Sequence, residues 1–243
     1  MTHNPTFVLL PGLMADAQLF AGQQPALSLL GRVHIADLTR SDNMADLARD
    51  VLSQAPGGPL VLIGLSMGGY VAFEIMRQAP ERVAGMVLLD TSARPDSEEK
   101  VAERQELVAQ ARQNLATVID AMLPRLSHPD FWCEPHVGGV VGIMARALGP
   151  EVFARQQQAI MTRPDSRPSL ADIACPVLVV CGEDDVLTPP EVAREIADGI
   201  PGAMLALVKT CGHLSTLDQP QVVARLLTDW LSQHYSFPVR KAA

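Results

Sequence analysis

Gly64-Leu65-Ser66-Met67-Gly68 sets a serine between two glycines in the pattern G-x-S-x-G. The chemistry this suits is nucleophilic: a hydroxyl on a sharp strand-to-helix turn, lifted above a sheet by neighbours too small to block it. The flanking residues fit such a turn. Pro59–Leu65 is almost wholly apolar, as a strand buried on both faces is, and Met67–Ala79 has helical composition up to Pro80. The N–H groups that open this helix would face charge developing at Ser66. Two other readings exist: a plain βα turn with Ser66 capping the helix, and a degenerate dinucleotide loop. The latter needs a second glycine where Ser66 stands, and no phosphate-cradling lysine is present.

A serine hydroxyl is a weak nucleophile until a base takes its proton, and a third group commonly orients that base. Of the six histidines, His213 follows Gly212 in a loop between the last predicted strand and the last predicted helix, where α/β sites gather. His3 lies near the start of the chain, His34 in a strand pattern, and His234 near the end of the last helix. His128 and His136 stand beside Asp130 and Glu134 without a recognised metal-ligand spacing. For the orienting acid, Glu183, Asp184 and Asp185 follow one strand pattern and Asp90 ends another. Each also suits a loop or helix cap. Cys133, Cys175, Cys181 and Cys211 have no CxxC spacing and read as reduced, mostly buried thiols.

The elements that must position these groups alternate in type. Strands are expected at Phe7–Leu10, Val33–Ala36, Pro59–Leu65, Val83–Leu89, Pro176–Cys181 and Met204–Val208. Helices are expected at Ala15–Leu30, at Met44–Gln54 with Asp42 as N-cap, at Met67–Ala79, after Pro190 and from Pro220 to His234. That rhythm predicts a mostly parallel six-stranded sheet with helices on both faces. It breaks between residues 94 and 170. There Val101, Val108, Ala111, Leu115, Val118 and Met122 recur at helical spacing, and Gly149-Pro150 restarts the chain into Glu151–Met161. The organisation is an α/β core over 1–93 and 171–243, interrupted by a helical cap over 94–170.

Composition narrows the classes. The 243 residues are 48% apolar and 19% charged, which excludes a disordered chain. A net charge of −8 argues against nucleic acid as a partner. No apolar run approaches the ~20 residues of a membrane helix. Pro11-Gly12 interrupts the first apolar run and no basic residue precedes Arg32, so neither a membrane partner nor a secretory signal is expected. A cytoplasmic enzyme is. Residues 94–170 hold nine basic and ten acidic side chains, so most of the net charge lies outside them. Their arginines suit solvated helix faces or a lid that meets an acidic substrate or partner.

Taken together, these motifs make the chain resemble the α/β-hydrolase fold superfamily over nearly its whole length. Its order Ser…Asp…His is met by Ser66, Asp185 and His213. Gly182 to Pro189 resembles its acid loop, G-x-x-D-x-x-x-P, in which Asp185 is the acid. Cys211-Gly212-His213 and Asp218-Gln219-Pro220 resemble its histidine loop and the next helix start. Six residues precede the first strand, which implies a fold lacking the superfamily's first two edge strands, and Pro11-Gly12 stands in place of its usual His-Gly.

The resemblance implies a serine hydrolase with an oxyanion hole from the Leu13 and Met67 amides, no metal and no organic cofactor. Its small-molecule acyl substrate would be an ester, thioester or lactone. The serine sets the chain apart from haloalkane dehalogenases and epoxide hydrolases, which use aspartate at that turn. No arginine lies beside the elbow in sequence to hold a substrate carboxylate. Met122, Phe131, Trp132, Met144 and Met161 are candidates for an apolar pocket. Lyases, cofactor-free oxygenases and ligand-sensing receptor-like modules share the scaffold. Oxygen consumption, or saturable binding without turnover, would mark those.

Overall fold

Phe7, Leu9, Val61, Ile63 and Leu65 pack in one apolar cluster, while Val8, Leu10, Leu60 and Leu62 pack in another. Alternate residues of the same strands therefore enter two cores, so these strands are covered on both sides. The computed structural model describes residues 5–237; His3 lies outside them. The strands are β1 (Thr6–Leu10), β2 (Val33–Ile35), β3 (Leu60–Leu65), β4 (Val83–Leu89), β5 (Val177–Gly182) and β6 (Met204–Val208). They form one sheet in the order β2-β1-β3-β4-β5-β6. Every pairing is parallel, so the sheet is wholly rather than mostly parallel.

Leu27 of α1 (Gln24–Leu30) and Leu227 and Trp230 of α7 (Pro220–His234) cover the first face. The other face carries α2 (Met44–Gln54), α3 (Met67–Gln78) and α6 (Pro190–Gly199). The chain leaves β1 for β2 on one side and returns to β3 on the other. The loops after β1 and β3 thus diverge from neighbouring strand ends, the place where α/β sheets open a crevice.

Local chemistry moves some boundaries. Asn43, not Asp42, caps α2: its Oδ1 accepts from the N–H groups of Ala45 and Asp46. The stretch expected as one helix over 15–30 divides, because the Asp16 carboxylate caps a short 3₁₀ turn at Ala17–Phe20 and Pro25 starts α1 afresh. Between β4 and β5 stand α4 (Glu98–Leu126) and α5 (Val140–Met161). α4 breaks at Asn114, whose side chain accepts from Thr117 N–H and restarts the helix. The span Pro135–Met161 is long and apolar enough by composition to cross a membrane. Gly149, at φ +79°, bends it into two shorter rods, each below the ~20 residues a crossing requires.

Gln156 of α5 ties this helical insertion to the sheet. It is fully buried, accepts from Met14 N–H at 2.8 Å and donates to Leu38 O at 3.0 Å, joining the loops after β1 and β2. Gln156→Leu keeps the volume and orphans both backbone groups. We expect a loss of about 1–3 kcal/mol, and of several degrees in Tm, by urea and thermal denaturation. A variant as stable as wild type would show that the tether carries no weight.

Candidate active site

Ser66 ends β3 at φ +53°, ψ −113°, a conformation a residue with a side chain adopts only under compulsion. The compulsion is local. Ser66 N–H donates to Leu89 O at 2.9 Å, and Ser66 O accepts from Gly69 N–H and from Thr91 Oγ1 at 2.7 Å. A Cβ on Gly64 would land on the Gly68 backbone, and one on Gly68 on the Leu10 carbonyl. Both glycines of the motif are therefore steric requirements. From the other side of the crevice, Gly12 passes close enough that an added Cβ would lie 3.6 Å from the Ser66 Cβ.

His213 reaches this turn from the loop after β6. Its Nε2 lies 2.8 Å from Ser66 Oγ and its Nδ1 lies 2.8 Å from Asp185 Oδ2. Asp185 is buried in the turn after β5. Its Oδ1 accepts from the N–H groups of Leu187 and Thr188, and its Oδ2 from Thr188 Oγ1. Burial raises the Asp185 pKa, but the charge and hydrogen bond of His213 and the Thr188 donors outweigh it and hold it at about 2. Burial likewise lowers the His213 pKa, and the Asp185 carboxylate more than reverses this, lifting it above the ordinary 6.5. An ionised Asp185 only accepts hydrogen bonds, so Nδ1 carries the proton and the Nε2 lone pair faces the serine. The arrangement can draw a proton from Ser66 Oγ.

The structure thus brings Ser66, His213 and Asp185 together, and among the described residues no other acid hydrogen-bonds to His213. Glu183 and Asp184 are exposed, and Asp184 Oδ2 lies 3.7 Å from His128 Nε2. Asp90 is fully buried, but its oxygens accept from the N–H groups of Gly182 and Ser215. Burial, then the Asp185 charge, push its pKa to about 7 against the pull of His213 and the two amides. His128 and His136 do not converge; each packs against the Phe131 ring.

Asp90, Cys181 and Asp185 are the one group among the described residues whose ligand atoms lie close enough for a metal. They are tied to protein partners instead: Cys181 Sγ donates to Gly182 O, Asp90 accepts two hydrogen bonds and Asp185 accepts from Leu187, Thr188 and His213. Burial pushes the Cys181 and Cys211 thiols up. All four cysteines are free; these two are buried, while Cys133 is exposed, against expectation.

A cavity of about 780 Å³ opens above Ser66 and His213, walled by Leu13 from the β1 loop and by Met122, Val141 and Met144 from the insertion. Of the residues expected to form an apolar pocket, Met122 and Met144 line it. Phe131, Trp132 and Met161 do not. Arg104 of α4 also lines it, so an arginine far from the elbow in sequence shares its space.

Sequence reasoning overlooked three positioning residues. Thr188 bridges Asp185 and His213, Gln156 holds the β1 loop, and Asp218 accepts from Gly212 N–H, His128 N–H and Ser127 Oγ. Thr188, just before Pro189 in the acid loop, and Asp218, just before Gln219-Pro220, stand in motifs visible in the sequence; Gln156 is joined to its partners only by the fold.

Comparison with known proteins agrees with this fold. A family model described as the alpha/beta hydrolase family matches residues 7–226. A thermophilic esterase from Thermogutta terrifontis, solved with malate bound, shares 30% identity at a TM-score of 0.88, over 96% of this chain and 91% of that one. An enol-lactonase from Burkholderia xenovorans shares 26% identity at a TM-score of 0.86, over 95% and 92%. A Mycobacterium tuberculosis protein assigned as a non-heme bromoperoxidase, BpoC, is 29% identical over 170 residues. That match spans 68% of this chain but 65% of the relative, just under two thirds of its length.

The carboxyl pKa values imply a pH-dependent stability. Asp90, near 7 when folded against 3.8 ordinarily, binds a proton in the folded state that the unfolded chain has released, and Asp218 is raised in the same sense. A raised group's contribution is complete below its unfolded pKa and lost as pH climbs through the folded one. For His213 that loss falls above pH 6.5. Asp185 is depressed, and its contribution disappears only as pH falls from 3.8 towards 2. Stability by urea denaturation should therefore fall between about pH 4 and 8, and Asp90→Asn should flatten the slope. A wild-type protein that gains stability from pH 5 to pH 8 would contradict this account.

Proposed function

The chain belongs to the α/β-hydrolase family, and from that footing we propose that it is a serine hydrolase of small acyl compounds, whether esters, thioesters or lactones. The observation that carries this is the run of two 2.8 Å contacts from Asp185 through His213 to Ser66 Oγ, at the floor of the cavity. Ser66 Oγ attacks the substrate carbonyl as His213 Nε2 takes its proton, and Asp185 holds the ring and stabilises its cation. The protonated ring then returns the proton to the leaving oxygen or sulfur. Water, deprotonated by the same imidazole, cleaves the acyl-enzyme and frees the acid.

The negative oxygen of the tetrahedral intermediate is assigned to the N–H groups of Leu13 and Met67. Among the described residues neither donates to a protein acceptor. Met67 opens α3, so the helix dipole adds to its donor. Such donors contribute roughly 3 kcal/mol each in comparable sites. No metal or organic cofactor enters this chemistry. Residues 94–170 are read as the cap, whose Met122 and Met144 meet the part of the substrate remote from the carbonyl.

A fluorophosphonate probe should label Ser66, located by peptide mapping, and Ser66→Ala should abolish turnover on a series of p-nitrophenyl esters. Asp185→Asn should cost roughly 10⁴ in kcat, while Asp184→Asn stays close to wild type. The kcat/KM profile should rise with pH through a value above 6.5, since the base must be neutral. Labelling elsewhere, or an active Asp185→Asn, would overturn the assignment.

Met144→Ala should shift preference towards longer acyl chains by 10- to 200-fold, about 1–3 kcal/mol for a lost pocket contact. Trp132→Ala, outside the cavity wall, should leave chain-length preference in place. Competition assays with acetyl to octanoyl esters decide between them.

A further inference from the structure

Asp96, at the entry to the insertion, has a side chain 1% exposed and accepts from two guanidiniums: Arg104 Nε at 2.6 Å and Arg163 Nη2 at 2.8 Å. Two cations share one carboxylate, which leaves one positive charge over. Arg163, also in the cavity wall, already donates to the protein from each of its three nitrogens. It donates also to Arg94 O and Ile160 O, stacks on the Tyr70 ring at 4.3 Å and is 6% exposed. Arg104 is 23% exposed and lines the cavity with Ser66 and His213. Among the described residues it donates to Asp96 through Nε and to Gln157 Oε1 through Nη1, at 2.7 Å, and its Nη2 has no protein acceptor.

Gln157 supplies the second observation. It is fully buried in the wall of the same cavity, and with Oε1 taken by Arg104 its Nε2 has no partner. An orphaned buried donor costs stability unless something fills it. The other charges of the wall do not neutralise the cluster. Lys100 and Arg125 are balanced by Glu103 and Glu191, and Arg94 is paired with Glu195.

We infer that the cavity takes an acyl substrate bearing a second group, a carboxylate remote from the scissile carbonyl, held by the Arg104 guanidinium and the Gln157 amide. A planar two-oxygen anion matches a guanidinium edge beside an amide N–H, and it supplies the charge the cluster lacks. Asp96 and Arg163 act as positioning residues that fix the Arg104 side chain. This inference rests on the serine-hydrolase reading of the cavity, so its test must run without turnover.

The probes are monomethyl glutarate, which carries a free carboxylate, and dimethyl glutarate, its neutral match. The succinate and adipate pairs vary the reach. Calorimetric titration of Ser66→Ala protein should show the half-ester of the best-fitting pair binding on the order of 10- to 100-fold tighter than the diester. Adding Arg104→Met should erase that ratio, Gln157→Leu should reduce it, and Arg104→Lys should keep part of it. A bracing role alone would weaken both ligands alike. Equal affinity for both members of every pair, or a ratio surviving Arg104→Met and Gln157→Leu, overturns the inference. Should wild type hydrolyse none of the esters while Ser66→Ala still prefers the half-ester, the catalytic reading fails and the carboxylate site stands.

Discussion

The His213 imidazole must sit in one orientation, with one nitrogen towards Asp185 and the other towards Ser66, and three buried carboxylates fix the loops that hold it. Asp185 gathers the turn after β5 through Leu187 and Thr188. Asp90, at the end of β4, takes the N–H groups of Gly182 and Ser215. Asp218 takes Gly212 N–H from the histidine loop and His128 N–H from the insertion. A buried carboxylate is costly unless donors surround it, and most of these donors are backbone amides, which cannot swing away as a side chain can. The loop conformation and the acid state thus depend on each other. Asp185, facing an imidazole, is held low. Asp90, fully buried and also facing Asp185, is pushed high.

Strain collects along the same edge. Met14, Ser66, Asp90 and Thr210, all with side chains, have φ between +46° and +53°, and they follow β1, β3, β4 and β6. Such residues cost of order 1–3 kcal/mol each and persist only when their surroundings over-determine them. Three have visible restraints: Gln156 on Met14 N–H, Thr91 and Leu89 on Ser66, and Val180 O with two amides on Asp90. The wholly parallel sheet makes this concentration possible. It brings all its C-terminal ends to one side, and two buried faces leave the strands little freedom to relax.

The insertion serves this edge in two ways. Ser127 and His128 at the end of α4 dock on Asp218, where a Cβ on Gly212 would strike the backbone of Ser127 and His128. Gln156 in α5 holds the loop on the other side of Ser66. The cavity between is therefore closed by elements that also hold the loops of Ser66 and His213. A change in the insertion that shifts these contacts is felt at Ser66 and His213 as well as in the pocket.

Much of this was legible in the residues themselves. The nearly continuous apolar runs at Leu60–Leu65 and Val83–Leu89 require a doubly covered sheet, and G-x-S-x-G is a steric statement about one turn. The residues alone left several acids open; Asp185 was distinguishable from Asp184 through the resemblance, since only Asp185 stands in the acid's place between Gly182 and Pro189, and a turn re-aims the side chain with each residue. The rest lies in contacts between segments that no local pattern joins. Gln156 is an ordinary helix residue until the fold brings Met14 N–H to it. Asp90 read as a rival acid until its oxygens were seen on Gly182 and Ser215. Arg104 lay outside the elbow's neighbourhood in sequence, and the fold placed it in the cavity wall. Local spacing determines which chemistry a turn can hold, because sterics act between neighbours. Burial, partner and protonation state were decided only by tertiary structure, because they depend on what the rest of the chain brings near.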